Sequence, residues 1–168
     1  AHRRVISIAA VQRQLHGSGA DGPIEMVPYL TRLCDTLATS MIVNARPVSL
    51  KVVGDGGLAT SRDAESLGLI VTELVMNALK HAFPGDKNDS RISVVYEVNG
   101  TNWKLSVADN GVGKPDGVSA QSKPGLGSGI VKALARQLDA TVETVAGPAG
   151  TTVAITHATF ATNEAHAA

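Results

Sequence analysis

Cysteine is nearly absent from this chain: Cys34 stands alone among 168 residues. No intramolecular disulfide can form, which fits a reducing compartment. Its place between Leu33 and Leu37, in a helical pattern, reads as a small core side chain, and nothing nearby in sequence would activate a catalytic thiol. Aromatic residues are scarce, with one Trp, two Tyr and two Phe, too few for a surface that stacks bases. Neither sign of charge dominates. Fifteen basic and 15 acidic residues cancel, which removes the electrostatic case for binding nucleic acid or inserting at a membrane surface. No apolar run reaches the length of a membrane span and no signal-peptide pattern opens the chain, so a cytoplasmic location is expected. Beginning at Ala1 without Met, the chain reads as a fragment of something longer.

What is present supports one folded domain with an appendage. Apolar residues make up 43% of the chain, enough for a core, and 17 Gly with 7 Pro point to functional loops. Val5, Ile8, Val11 and Leu15 stripe a first helix, His2 to Leu15, closed by the linker signal Gly17 to Pro23. A second helix is predicted from Met26 to Asn44, with Pro28 in its first turn and Leu30, Leu33, Leu37 and Met41 as its buried stripe. Val48 to Val53 is a β-rich run ended by Gly54-Asp55-Gly56-Gly57. Arg91 to Val98 and Trp103 to Ala108 form a predicted hairpin around Asn99-Gly100-Thr101-Asn102. After a Gly- and Pro-bearing loop from Asn110 to about Gly127, a helix from Ser128 to Leu138 leads into strands near Thr141 to Val145 and Thr151 to Thr156. Helices and strands do not alternate regularly, so a layered α/β sandwich fits better than a doubly wound sheet. A frayed tail is expected from Thr159 onward.

The chain is organised around Leu67 to Pro84, on a helix predicted to open near Thr60 with Asp63 completing a capping box. Leu67, Ile70, Val71, Leu74, Val75, Ala78 and Leu79 form one broad apolar face. Glu73, Asn77, Lys80 and His81 stack on the remaining side. Asn77 offers a neutral oxygen suited to Mg²⁺, and Glu73, one turn earlier, can orient a water or take a proton. Taken alone, the same stripe describes the solvated face of an ordinary amphipathic helix.

Asp109 continues the face shared by Trp103, Leu105 and Val107, so it is expected to point inward, where a carboxylate needs a donor such as the exocyclic amino group of a purine. The competing reading is a plain Asp-Asn-Gly turn. Two glycine clusters bracket the following loop, Asn110-Gly111-Val112-Gly113 and Gly125-Leu126-Gly127-Ser128-Gly129. The second runs into a helix whose free N–H groups and positive dipole end suit an anion. A GxxxxGK[ST] loop is absent, and a GxGxxG starting at Gly125 fails because Ile130 occupies the last position. The loop is expected to be a mobile lid, because it holds few apolar side chains able to offset the entropy of fixing it.

In this order ELVMNALKHAF, DNGVG and GLGSGIV resemble the N, G1 and G2 boxes of the Bergerat-fold ATPases. More narrowly, they resemble the ATP-binding catalytic domain of bacterial sensor histidine kinases of the HWE-related class, over roughly Ile24 to Thr156. The resemblance implies a two-layer α/β sandwich, a mixed sheet of about five strands on about three helices. Residues 24–158 would be the ATP-binding domain and 1–16 the second helix of a dimerisation and phosphoacceptor hairpin, with a linker at 17–23 and a tail at 159–168. Asn77 would ligate Mg²⁺ bridging the ATP phosphates, with Glu73 beside it and Lys80 and His81 near the phosphates. Asp109 would receive the adenine amino group, with Thr151 close by. Gly111 and Gly113 would allow close approach of the nucleotide, and Gly125, Gly127 and Gly129 would hinge the lid, Leu126 and Ser128 lying among them. His81 matches the class, whereas Trp103 is followed by Lys104 and Leu105 in place of the class's Trp-x-Glu, which favours a sibling group. The implied activity is transfer of the γ-phosphoryl group of Mg-ATP to a histidine outside this chain. The implied partners are the acceptor helix of the full-length kinase, a response regulator and a second copy through the N-terminal helix. An ATP-hydrolysing clamp, an anti-sigma-type serine kinase and a nucleotide-binding module that has lost transfer are the alternatives. His16, His157 and His166 read as surface or loop residues.

Overall fold

The computed structural model describes residues 22–41, 48–83, 89–113 and 126–158. The expected N-terminal helix, most of its linker, the Pro84-Gly85 stop, the loop residues 114–125 and the tail from Thr159 lie outside the described residues. The elements are β1 (Ile24–Glu25), α1 (Met26–Met41), β2 (Val48–Gly54), β3 (Leu58–Ala59), α2 (Ser61–His81), β4 (Ser90–Asn99), β5 (Asn102–Asp109), α3 (Leu126–Gln137), β6 (Thr141–Gly147) and β7 (Gly150–His157).

Five strands form one mixed sheet in the order β2-β4-β5-β7-β6, with β2 parallel to β4 and every other pair antiparallel. Leu50 pairs with Ile92, Tyr96 with Leu105, Leu105 with Ile155 and Val107 with Val153, so these residues share one face. That face packs on Leu30, Leu33 and Leu37 of α1, Leu67, Ile70, Val71 and Val75 of α2, and Val131 and Ala135 of α3. Lys51, Arg91, Glu97, Lys104 and Glu143 alternate with them and are exposed on the other face. The result is the expected two-layer sandwich of a five-stranded mixed sheet under three helices.

Helix α2 begins where its cap residue predicts. Thr60 is extended (φ −65°, ψ 158°), and its hydroxyl accepts the backbone N–H of Asp63 at 3.2 Å. Only this half of a capping box forms, since the Asp63 carboxylate makes no return bond among the described residues. Leu74 and Leu79, expected in the buried face, are only partly covered. Thr72 is fully buried instead, its hydroxyl donating to the Gly68 carbonyl at 2.8 Å. Cys34 is buried in α1, as its neighbours implied; burial first, and the charge of Asp35 second, push its thiol up to about 12.

The pair β1 and β3 was not legible. Ile24 pairs with Ala59 and Glu25 with Leu58, and the Met26 N–H donates to Gly57 at 2.9 Å. Two-residue strands are too short to show alternation. Helix α3 starts at Leu126, two residues before the expected Ser128, inside the second glycine cluster. Among the described residues no helix is long and apolar enough to cross a membrane.

Candidate nucleotide site

The turn after β5 is built around one carboxylate. Asp109, half-buried at the end of β5, accepts the N–H of Gly111 at 2.9 Å and that of Thr151 at 3.3 Å, both on Oδ1. The first bond closes an Asp-Asn-Gly turn and the second ties that turn to β7. The Asp-Asn-Gly turn is therefore formed. One oxygen makes the turn, and Oδ2 accepts no hydrogen bond from the described residues, which leaves it open to an external donor.

Asn110 has a separate task. Its Oδ1 accepts the N–H of Arg91 at 2.7 Å, and its own N–H donates to the Arg91 carbonyl at 3.2 Å, which holds the start of β4. Val112 N–H then donates to the carbonyl of Ala82 at 2.9 Å, just past the end of α2. A Cβ on Gly111 would overlap that same Ala82 carbonyl, and one on Gly113 would overlap the carbonyl of Gly147; Gly113 also has φ +55°. Glycine is thus required at both positions by the protein's own backbone. The expected mobile loop cannot begin at Asn110, since these bonds fix the stretch 110–113.

The polar stripe of α2 runs toward this turn. Glu73 is buried at 9% exposure, Asn77 is half-buried, and Lys80 and His81 are exposed in the last turn next to Ala82. Neither Glu73 nor Asn77 makes a side-chain hydrogen bond with the described residues. A carboxylate and an amide held that way on a buried helix have capacity left for a ligand. Gly127 and Gly129 fall in the first turn of α3, and a Cβ on Gly129 would meet nothing within 4 Å. Gly125 lies outside the described residues.

These donors fit Mg²⁺ held beside a nucleotide. No three His, Cys, Asp or Glu side chains converge among the described residues. Asn77 offers an amide oxygen instead, with phosphates and water left to complete the shell, since Mg²⁺ near phosphates keeps several waters.

Sequence reasoning misplaced His157. It is the last residue of β7, half-buried, with its ring stacked on Trp103 at 5.7 Å and Nδ1 3.1 Å from the carbonyls of Leu138 and Asp139. It also missed Ala82, whose carbonyl receives the glycine turn. No local pattern marks either one, because their hydrogen-bond partners lie 18 to 30 residues away.

A half-covered five-stranded sheet, with a carboxylate at the end of its central strand and a polar-striped helix beside it, makes a fold of the layered α/β kind. The chain belongs to the histidine kinase-, DNA gyrase B- and HSP90-like ATPase family, whose model matches residues 62–160, more than half of the chain. It is 33% identical over 132 residues to the sensor histidine kinase PdtaS of Mycobacterium tuberculosis, covering 79% of this chain and 26% of that protein. It is 29% identical over 158 residues to blue-light-activated histidine kinase 2 of Erythrobacter litoralis, covering 91% and 45%. The histidine kinase domain of the Erythrobacter litoralis EL346 blue-light-activated kinase superposes with a TM-score of 0.75 at 27% identity, covering 92% of this chain and 72% of that one. The chain therefore spans about a quarter to a half of the curated relatives' length.

Proposed function

We propose that this chain is the catalytic domain of a sensor histidine kinase, binding Mg-ATP and delivering its γ-phosphoryl group to a histidine on a helical hairpin of the full-length protein. The observation that carries the reading is the likeness to a histidine kinase domain over nearly the whole chain, in a chain that keeps Asn77 and Asp109 with ligand-binding capacity. Glu73, Lys80 and His81 complete the stripe on α2, and Thr151 sets the Asp109 carboxylate. Asp109 Oδ2 accepts from the adenine amino group. Asn77 would hold Mg²⁺, which would supply charge neutralisation to the phosphates. The backbone N–H groups of the first turn of α3, in Leu126, Gly127, Ser128 and Gly129, receive phosphate oxygens.

The chemistry asks little covalent work of this domain. An imidazole nitrogen of the acceptor attacks the γ-phosphorus, the bond from that phosphorus to the β,γ-bridging oxygen breaks, and its electron pair leaves on ADP. Positioning and electrostatics dominate such a step. Glu73 takes a proton or holds a water near Asn77 on this reading. Residues 24–158 form the ATP-binding unit on this reading, 1–16 belong to the hairpin that also pairs two copies, and 17–23 link them. A response regulator receives the phosphoryl group next, in the cytoplasm. The clamp ATPase and the anti-sigma-type serine kinase lack a comparable observation.

The test is phosphotransfer. The full-length protein incubated with γ-labelled ATP and Mg²⁺ is expected to acquire acid-labile, base-stable label, the signature of phosphohistidine. Acid-stable label would point to a serine acceptor. Phosphate release without labelled protein would point to a clamp ATPase.

A further inference from the structure

Helix α3 ends on a left-handed residue. Asp139 has φ +50°, and the Ala140 N–H reaches back to the Ala135 carbonyl at 2.9 Å, closing a Schellman-type turn. That turn satisfies the carbonyls of Leu134, Ala135 and Arg136. The carbonyls of Leu138 and Asp139, in the turn that follows the helix, both lie 3.1 Å from Nδ1 of His157. Two carbonyl acceptors require Nδ1 to carry the proton. Trp103 stacks on the imidazole at 15° between ring planes and itself lies 6.4 Å from the ring of Tyr96 in the core. The imidazole is thus fixed on one face by β5 and bonded at its edge to the end of α3.

Strand β7 therefore serves two parts of the site. At its start, the Thr151 N–H sets the Asp109 carboxylate, and at its end His157 holds the far terminus of the helix that opens with the glycine cluster. Val131, Ala135 and Leu138 press α3 onto the core, but apolar packing is non-directional, whereas hydrogen bonds at its end fix an orientation. Twelve residues make a lever of about 18 Å, so a tilt of ~5° moves the opposite end by roughly 1.5 Å. Displacements of that size matter to a phosphate cradle.

We propose that His157 is a positioning residue for the triphosphate: by fixing the C-terminal end of α3 it sets where the helix's first-turn N–H groups stand relative to Asp109. The inference rests on the reading that this turn receives phosphates. His157 touches no nucleotide itself.

The experiment compares the parent chain with His157→Phe, which keeps the stacked ring and removes the donor, and with His157→Asn, whose amide N–H₂ stands near the lost Nδ1. Melting temperatures establish that each is folded. Calorimetry with Mg-ATP and with adenosine is expected to show ATP affinity falling about fivefold in His157→Phe, adenosine affinity unchanged, and ATP affinity recovering in His157→Asn. Hydrogen exchange without nucleotide should show faster exchange in α3 for His157→Phe alone. Equal losses for ATP and adenosine would mark a general structural role and overturn the proposal, as would unchanged ATP binding or α3 exchange. If His157→Phe does not fold, the same ATP-to-adenosine comparison in His157→Asn and His157→Leu decides, with Leu expected to lose ATP alone. A parent chain that binds no ATP would instead overturn the functional reading, and this proposal with it.

Discussion

Asp109 and Thr151 face each other across the β5–β7 ladder, and the Thr151 N–H donates to Asp109 Oδ1 at 3.3 Å. Because Gly111 uses the same oxygen at 2.9 Å, replacement of Asp109 by Asn can keep both internal bonds and change only the other atom from acceptor to donor. Asp109→Asn should therefore leave folding nearly intact and reverse the preference for adenine, which presents a donor, over guanine, which presents a carbonyl. A loss of about 1–3 kcal/mol in ATP binding is expected, with GTP gaining relative to it. Calorimetric titration with both nucleotides measures the ratio, and an unchanged ratio would assign base reading elsewhere.

Asn77 makes no side-chain hydrogen bond with the described residues, so the fold does not depend on its amide. Asn77→Ala should leave the melting temperature within a few degrees of the parent, as is usual where no mechanism of large destabilisation applies. Mg²⁺-dependent enhancement of ATP binding should be lost. Titrations with and without Mg²⁺ test this; an enhancement equal to that of the parent would move the metal to another residue.

The glycines divide into two kinds. A Cβ on Gly111 would collide with the Ala82 backbone, whereas one on Gly129 meets nothing within 4 Å. Gly111→Ala should destabilise the protein by roughly 1–3 kcal/mol through overpacking. Gly129→Ala should stabilise the nucleotide-free protein by up to ~1 kcal/mol through helix propensity, while weakening ATP binding by crowding the phosphates. Urea denaturation and ATP titration of both variants give four results, and a destabilised Gly129→Ala would contradict the open space at that position.

The hydroxyl of Tyr29, in a side chain with 0% exposure, has no hydrogen-bond partner among the described residues. Burial, and secondarily Glu65, hold its ionisation well above the ordinary tyrosine range. Tyr29→Phe removes the unsatisfied group without changing the ring, and should raise stability by about 1 kcal/mol. A lower denaturation midpoint would reveal a buried partner.

Stability should also fall in alkali. Burial, with Asp35 adding to it, raises the Cys34 thiol from 9.0 to about 12, so between those values the folded state holds a proton that the unfolded chain has released. Its contribution is complete below about pH 9 and is lost as pH rises toward 12, at up to ~1.4 kcal/mol per pH unit. Tyr29 and Tyr96, both raised by burial, add to the slope above 10.0. Cys34→Ala should flatten the lower part of this decline in urea denaturation between about pH 8 and 10. An equal slope in the variant would remove the thiol from the account.

By itself the sequence determined what local periodicity can encode. The apolar spacing of α2, the Thr60 cap, the alternation in β4 and β5 and the Gly100-Thr101 turn are each written within a few neighbouring residues, and the ordered boxes at Asn77, Asp109 and Gly127 announced a nucleotide fold. Tertiary structure alone decided matters that depend on distant partners. It put β7 beside β5, so that Thr151 completes the Asp109 turn from 42 residues away. It made Gly111 and Gly113 necessary through the backbone of Ala82 and Gly147. It turned His157 from an expected surface or loop residue into the partner of the turn that follows α3. Hydrogen-bond acceptors on the main chain carry no side-chain signature, so only packing reveals which residue they will hold.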